Sequence, residues 1–274
     1  MATQINDPSM NPHSVAGEEE SSAHWGGVFA MTLCVFALIA SEFMPVSLLT
    51  PISATLAISE GMAGQGIAIS GAFAVLTSLF ISTIAGQMNR KTLLLLLTAI
   101  MGISGAIVGM ASGYPMYMIG RALVGVVIGG FWSMSAAVAM RLVPANKVPR
   151  ALAIFNAGNA LAMVLAAPLG AYLGTLIGWR GAFLCLIPFA VITFLWQCFS
   201  LPSMPVKTRQ AHSGNPFSVF SLLKRKTVYI GMMAIGCFFM GQFTLYTYVR
   251  PFLETVTLID VQTLSLTLFE LVQT

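Results

Sequence analysis

Seven apolar runs, each long enough to cross a bilayer as a helix, set what this chain can fold into. They read Gly26 to Leu49, Met62 to Ala85, Thr92 to Ala111, Met116 to Met140, Ala151 to Ile177, Gly181 to Phe199 and Val228 to Phe252. At ~1.5 Å of rise per residue, about 20 residues span a hydrocarbon core of ~30 Å. In that medium every backbone N–H and C=O needs a partner within the segment, so the runs must be helices. Composition agrees: 57% of the residues are hydrophobic, 8% are charged and the mean hydropathy is +0.86, whereas soluble domains carry about 25% charged residues. The fold class is an all-α polytopic membrane protein. The isoelectric point near 9.0 does not point to nucleic acid, because the basic residues are scattered over short loops and form no stripe.

Those basic residues instead give a topology. With the amino terminus in the cytoplasm, that side holds Arg90, Lys91, Arg141, Lys147, Arg150, Lys207, Arg209, Lys224, Arg225 and Lys226, and the opposite side holds Arg180 and Arg250. Ten against two is a positive-inside bias, and a missed or invented span would scramble it. The chain divides into a polar tail over 1–24, a six-helix bundle over 25–199, a cytoplasmic linker over 200–227 and, over 228–274, a seventh helix with the incomplete remainder of a second bundle. The tail carries Glu18-Glu19-Glu20 and no Lys or Arg, so it is not a signal peptide and reads as disordered. The linker holds Pro202, Pro205 and Pro216 with five basic residues. Beyond the seventh helix, Thr263 to Phe269 begins an apolar run that Glu270 interrupts, too short to span.

One carboxylate lies inside a span. Glu42 sits in the first run, ~10 Å below its second end at helical rise; every other acid lies outside the strongly apolar runs. An intramembrane acid is a functional hypothesis by default, set against a helix-end acid reaching for the interface. Arg121 lies ~8 Å below the same surface, just inside the fourth run. The two charges therefore share a depth and can interact directly or through water; alternatively, Arg121 bonds backbone carbonyls and only orders the bundle. Burial disfavours a charged carboxylate and a neighbouring cation favours it, so a site that alternates between the two surroundings takes up a proton on one side and releases it on the other. Cys34, Cys185, Cys198 and Cys237 lie in apolar runs without CxxC spacing and read as packed thiols. No Walker motif, catalytic constellation, metal-ligand spacing or cofactor motif is present, so the chain does not read as an enzyme or an ATP-driven pump. Gly125/Gly129 and Gly105/Gly109 repeat the GxxxG spacing that lets helices approach closely in lipid.

Several local patterns together resemble the major facilitator superfamily. Gly120-Arg121-Ala122-Leu123-Val124-Gly125 resembles its fourth-helix motif. Ala166-Ala167-Pro168-Leu169-Gly170 resembles the Gly-Pro motif of the fifth helix in antiporters, with Ala167 where Gly often stands. Trp179-Arg180-Gly181-Ala182-Phe183 resembles the turn into the sixth helix, and Tyr248-Val249-Arg250-Pro251-Phe252 the end of the seventh. The loop after the second helix departs from the pattern: Gly86-Gln87-Met88-Asn89-Arg90-Lys91 keeps the basic pair, but Asn89 stands near the place of the family's acid. Within the superfamily, Glu42-Phe43-Met44-Pro45 through Pro51 resembles the drug, sugar and nucleoside proton-antiporter branch. Gly129-Gly130-Phe131-Trp132-Ser133 with Met140-Arg141-Leu142-Val143-Pro144 is similar to bacterial purine ribonucleoside efflux pumps, although arabinose-type and drug exporters share much of this pattern.

The resemblance implies two six-helix bundles with substrate between them, of which this chain holds the first and the start of the second. The expectation is a chain truncated relative to its family, the alternative a half-transporter pairing with a second copy. It implies a secondary transporter in the bacterial inner membrane whose partners are protons, a small-molecule substrate and lipid. The proton-coupling candidates are Glu42 and Arg121, and the gating candidates Arg90, Lys91, Pro168 and Gly170. Trp132, Ser133, Asn156, Asn159, Gln242 and Tyr246 are candidates for holding a purine ring and its ribose, since rings seek aromatic faces and their edges seek amides and hydroxyls. For each of these, interhelical bonding or interfacial anchoring is the competing reading. A non-transporting membrane remnant is the alternative of different class.

Overall fold

In the computed structural model the described residues are 23–86, 88–205 and 225–252, apart from the side chains at 82, 83, 246, 247 and 249–251. The expectations for the tail over 1–22, the middle of the linker and the run Thr263 to Phe269 lie outside them, as does the side chain of Tyr246. Among the described residues seven helices follow in order: α1 Trp25–Leu56, α2 Glu60–Ala85, α3 Arg90–Gly109, α4 Tyr114–Arg141, α5 Val148–Leu184, α6 Leu186–Ser200 and α7 Lys226–Phe252. A 3-10 turn, Ala145–Lys147, precedes α5.

Local chemistry sets the ends. The Ser59 hydroxyl caps α2 by accepting from Met62 N–H at 3.2 Å, and the Asn89 amide caps α3 by accepting from Lys91 N–H at 3.0 Å, each satisfying a donor that the first turn leaves free. Helix α1 runs past the expected stop at Leu49 to Leu56 and carries Pro45 and Pro51 within it. A proline is tolerated inside a membrane helix where other donors reach the freed backbone groups. Pro45 and Pro51 free the carbonyls of Ser41 and Ser47, four residues earlier; the Ser47 and Ser53 hydroxyls donate elsewhere, to the Met44 and Thr50 carbonyls at 3.0 and 2.9 Å.

The fifth and sixth spans meet at Gly178, whose φ of 74° and ψ of 163° reverse the chain inside α5. Only glycine adopts such a backbone without strain. Before the turn, Gly170 lies against Met44 and Ser47, and Gly174 against Leu48 near the far end of α1. After it, the chain returns so that Ser200 and Leu201 pack on Gly26 and Gly27 at the start of α1. Helices α1 and α5 therefore run parallel, with α6 opposed. Helices α2 and α4 also run parallel, in register from Ala63 beside Tyr117 to Ala74 beside Gly129.

Helix α1 is the axis, buried almost continuously from Gly27 to Ser53. Outer faces are apolar and exposed, as Phe80, Ile84, Ile192 and Phe199 show, which suits contact with lipid chains. The closest joint is between α2 and α4. A Cβ at Gly125 would run into the Ser70 carbonyl oxygen, and one at Gly129 into that of Ala74. Helix α7 touches the bundle through Phe243, stacked on Phe43 at 5.8 Å, and through Tyr248 beside Gly64.

Candidate functional site

Pro45 prepares the centre of the bundle. Having no N–H, it leaves the carbonyl of Ser41, four residues earlier, without its helical donor. The next residue, Glu42, lies near the middle of the 32-residue α1 and is 9% exposed. Arg121, one turn into α4 beyond Tyr117, is fully buried at 0%. A buried guanidinium is stable only if its donors are met and its charge is balanced. Its Nη1 donates to the Ser41 carbonyl at 3.0 Å, and its Nε to the Gly66 carbonyl at 3.1 Å. Its Nη2 reaches Glu42 Oε2 at 2.8 Å and Ser70 Oγ at 3.3 Å. The Ser70 hydroxyl stands 2.8 Å from Glu42 Oε1 and 2.8 Å from the Ile67 carbonyl. It has one proton to give, so it serves one acceptor at a time.

Both sequence readings of Arg121 hold together in one geometry: it pairs with Glu42 directly and also bonds two backbone carbonyls. Sequence reasoning missed Ser70 and Tyr117. Tyr117, fully buried, donates its hydroxyl to the Ala63 carbonyl at 3.1 Å; it precedes Arg121 by four residues and so shares its helical face, a signal that was available. Ser70 carries none, being one of several serines in α2.

The substrate candidates fall in two places. Trp132 is half-exposed and meets Phe155 edge-on at 5.9 Å, where α4 faces α5. Ser133 and Asn156, beside these rings in sequence, donate to carbonyls of their own helices, Gly129 at 2.6 Å and Leu152 at 2.9 Å. Their remaining oxygen lone pairs are acceptors. Asn159 is half-buried one turn from Phe155, and Gln242 is exposed on α7 beside Phe243.

Of the gating candidates, Gly170 lies where a Cβ would press on Ser47 Oγ and Met44, and Pro168 is half-buried within α5. Lys91 donates Nζ to the Cys198 carbonyl at 2.7 Å. Asn89 joins it in clasping the chain after α6: its Nδ2 donates to Ser203 Oγ at 2.6 Å and its Oδ1 accepts from Met204 N–H at 3.0 Å. The Arg90 N–H donates to the Met204 carbonyl at 3.1 Å. Leu201 and Met204 are buried, so the chain directly after α6 packs as part of the bundle.

Apolar helices long enough to cross a bilayer, wound around a paired acid and base with exposed faces suited to lipid, define a multi-pass membrane protein. The chain belongs to the major facilitator superfamily, whose family model matches residues 31–272. Among curated relatives, a transcription regulatory protein, OpdE, of Pseudomonas aeruginosa is 70% identical over 238 residues, covering 87% of this chain and 59% of that protein. A purine ribonucleoside efflux pump, NepI, of Salmonella paratyphi B is 42% identical over 245 residues, covering 89% and 61%. The chain thus spans about 60% of the length of these relatives. Among solved structures, an inward-facing bacterial homologue of the lysosomal transporter Spinster aligns at a TM-score of 0.70 and 20% identity, over 89% of this chain and 58% of that one. A D-xylose–proton symporter aligns at 0.66 and 14%, over 90% and 65%. At these identities the structural likeness shows the fold alone.

Proposed function

We propose that the chain serves export of purine ribonucleosides across the bacterial inner membrane by proton antiport, its amino terminus in the cytoplasm. The observation that carries the coupling step is the buried Glu42 carboxylate held between Arg121 and Ser70. Protonation of Glu42 removes the charge that Arg121 balances and weakens the pair. Arg121 stays anchored by the Ser41 and Gly66 carbonyls. Ser70 turns its proton to the Ile67 carbonyl and accepts from the protonated carboxyl, so the site stays satisfied in both states. The joint that changes strength is the one that ties α1 to α2 and α4. The efflux pump at 42% identity supports the substrate class, and the excess of basic residues at one end supports the orientation. Trp132 with Phe155 offers an aromatic wall, and Asn156, Asn159, Ser133 and Gln242 offer polar edges to base and ribose. The name of the relative at 70% identity speaks of transcription, whereas the fold supports transport.

The test is efflux of radiolabelled inosine from cells expressing the chain. The expected outcome is efflux above empty-vector cells that collapses with a protonophore, and that loses its dependence on external pH in Glu42→Gln. Efflux equal to empty vector removes the transport reading; unchanged pH dependence in Glu42→Gln removes the coupling role.

A further inference from the structure

Among the described residues, the end of the bundle where α2 gives way to α3 is basic without a balancing acid. Arg90, Lys91, Arg141, Lys147 and Arg150 lie there, and the described residues hold only two acids, Glu42 and Glu60. Glu42 is committed to Arg121 inside the bundle, and Glu60 sits at the opposite end of α2, accepting from Thr50 at 2.9 Å. At the basic end a cavity of about 460 Å³ opens between α2 and α4, within the range that takes a small ligand. Arg90 and Arg141 line it together with Ser78 and Ser133, and among the described residues no acid does. Both hydroxyls already donate within their helices, to the Val75 and Gly129 carbonyls, so the donors left to a ligand are the guanidiniums.

The two arginines are held in place. The Arg90 N–H is bonded to the Met204 carbonyl, and Arg141 Nη2 to the Pro205 carbonyl at 3.2 Å. The same short segment after α6 thereby holds the backbone of Arg90 and the guanidinium of Arg141, and four N–H donors of Arg141 remain. Asn89 closes this segment with a neutral amide, bonded to Ser203 and Met204. A carboxylate at that position would partly neutralise the pair beside it.

We infer that this cavity is an anion site for a phosphate group, either the headgroup of an anionic phospholipid or free phosphate. Two guanidiniums lining one cavity match the tetrahedral, multiply accepting phosphate, and basic pockets between membrane helices suit phospholipid headgroups. The cavity lies apart from Glu42, and although its wall includes Ser133, a proposed substrate contact, and Arg90, a gating candidate, its test reads binding and not efflux.

The test uses the full chain and follows thermal unfolding, since a ligand that binds the folded state raises its midpoint. In detergent, inorganic phosphate is titrated against sodium chloride at equal ionic strength. In nanodiscs, phosphatidylcholine alone is compared with phosphatidylcholine containing phosphatidylglycerol. Arg90→Gln and Asn89→Asp are measured beside the parent, each against its own ligand-free midpoint; Asn89→Asp keeps the acceptor for Lys91 and Met204. A phosphate response that needs ~10-fold more phosphate in both variants, the effect of losing one charged hydrogen-bonding partner, establishes the site with free phosphate. A response to phosphatidylglycerol alone, lost in both variants, establishes it with a lipid headgroup. Equal responses in parent and variants, or none in either medium, overturn it. A response that emerges only when Glu18, Glu19 and Glu20 are replaced by glutamine overturns it as well, by showing that the chain's own acids fill the site.

Discussion

Arg121 gives the Ser41 carbonyl the donor that Pro45 withholds. The proline opens the hydrogen-bond ladder of α1 one residue before Glu42, and Nη1 of Arg121 fills the opening at 3.0 Å. The same guanidinium then turns Nη2 to Glu42 at 2.8 Å. The defect in one helix and the charge on another thus determine each other's position, and the pairing of Glu42 follows from where the carbonyl was freed.

A double-mutant cycle tests this. In Pro45→Ala the new N–H serves the Ser41 carbonyl, so losing Arg121 no longer orphans it. Arg121→Gln should therefore cost about 1 kcal/mol less in the Pro45→Ala background than in the parent, the net worth of a buried hydrogen bond. Unfolding midpoints of the four proteins in one detergent provide the measurement; equal costs in both backgrounds remove the link between Pro45 and Arg121.

The ion pair predicts a larger non-additivity. Arg121 is fully buried and Glu42 nearly so; breaking such a pair from one side leaves a charge without compensation, at about 3–5 kcal/mol. Arg121→Gln and Glu42→Gln should each destabilise by that order. The double variant, with two neutral amides facing one another, should be less destabilised than the sum of the singles. Additive losses in denaturant-induced unfolding would mean that the charges do not sense each other. Arg121→Lys should restore little, because one ammonium cannot reach Ser41, Gly66 and Glu42 from the fork that a guanidinium presents.

Apolar runs and basic loops made the spans and their alternation readable before any coordinates, because lipid leaves a segment little choice but helix. Glu42 and Arg121 were readable too, since a charge in such a run is conspicuous. Ser70 was not, because its part depends on the parallel register of α2 against α4, which hydropathy does not encode. The reach of α1 to Leu56 lies past the end of the apolar run at Leu49, because a proline such as Pro51 removes one rung of the ladder and need not end a membrane helix. The burial of Leu201 and Met204 escaped because prolines flanking a stretch suggest a linker whether or not Asn89 holds it down.

Glycine tests the register. A Cβ at Gly125 would strike the Ser70 carbonyl oxygen and crowd its Cα, and these backbone atoms cannot rotate away. At Gly71, one residue beyond Ser70, a Cβ meets nothing within 4 Å. Gly125→Ala should destabilise by about 1–3 kcal/mol as overpacking does. Gly71→Ala should be neutral or stabilising by up to about 1 kcal/mol, since alanine is the better helix former. Thermal midpoints in detergent separate the two; similar losses at both positions would contradict the close joint of α2 with α4.

Ser70 separates holding the site from operating it. Ser70→Ala deletes one hydroxyl, leaving Glu42 Oε1 without its 2.8 Å donor while Oε2 keeps Arg121. The expected loss is about 1–3 kcal/mol, the cost of a buried acceptor left unmet, and so comparable to or below that of Arg121→Gln. Transport should suffer more than folding. In the proposed cycle the serine proton passes between Glu42 and the Ile67 carbonyl as the carboxyl changes charge, and alanine can satisfy neither state. Ser70→Ala should therefore reach the membrane in near-parental amount yet export inosine with an altered response to external pH. Parental efflux and pH response from a normally inserted Ser70→Ala protein would leave Glu42 and Arg121 as the site and reduce Ser70 to packing against Gly125.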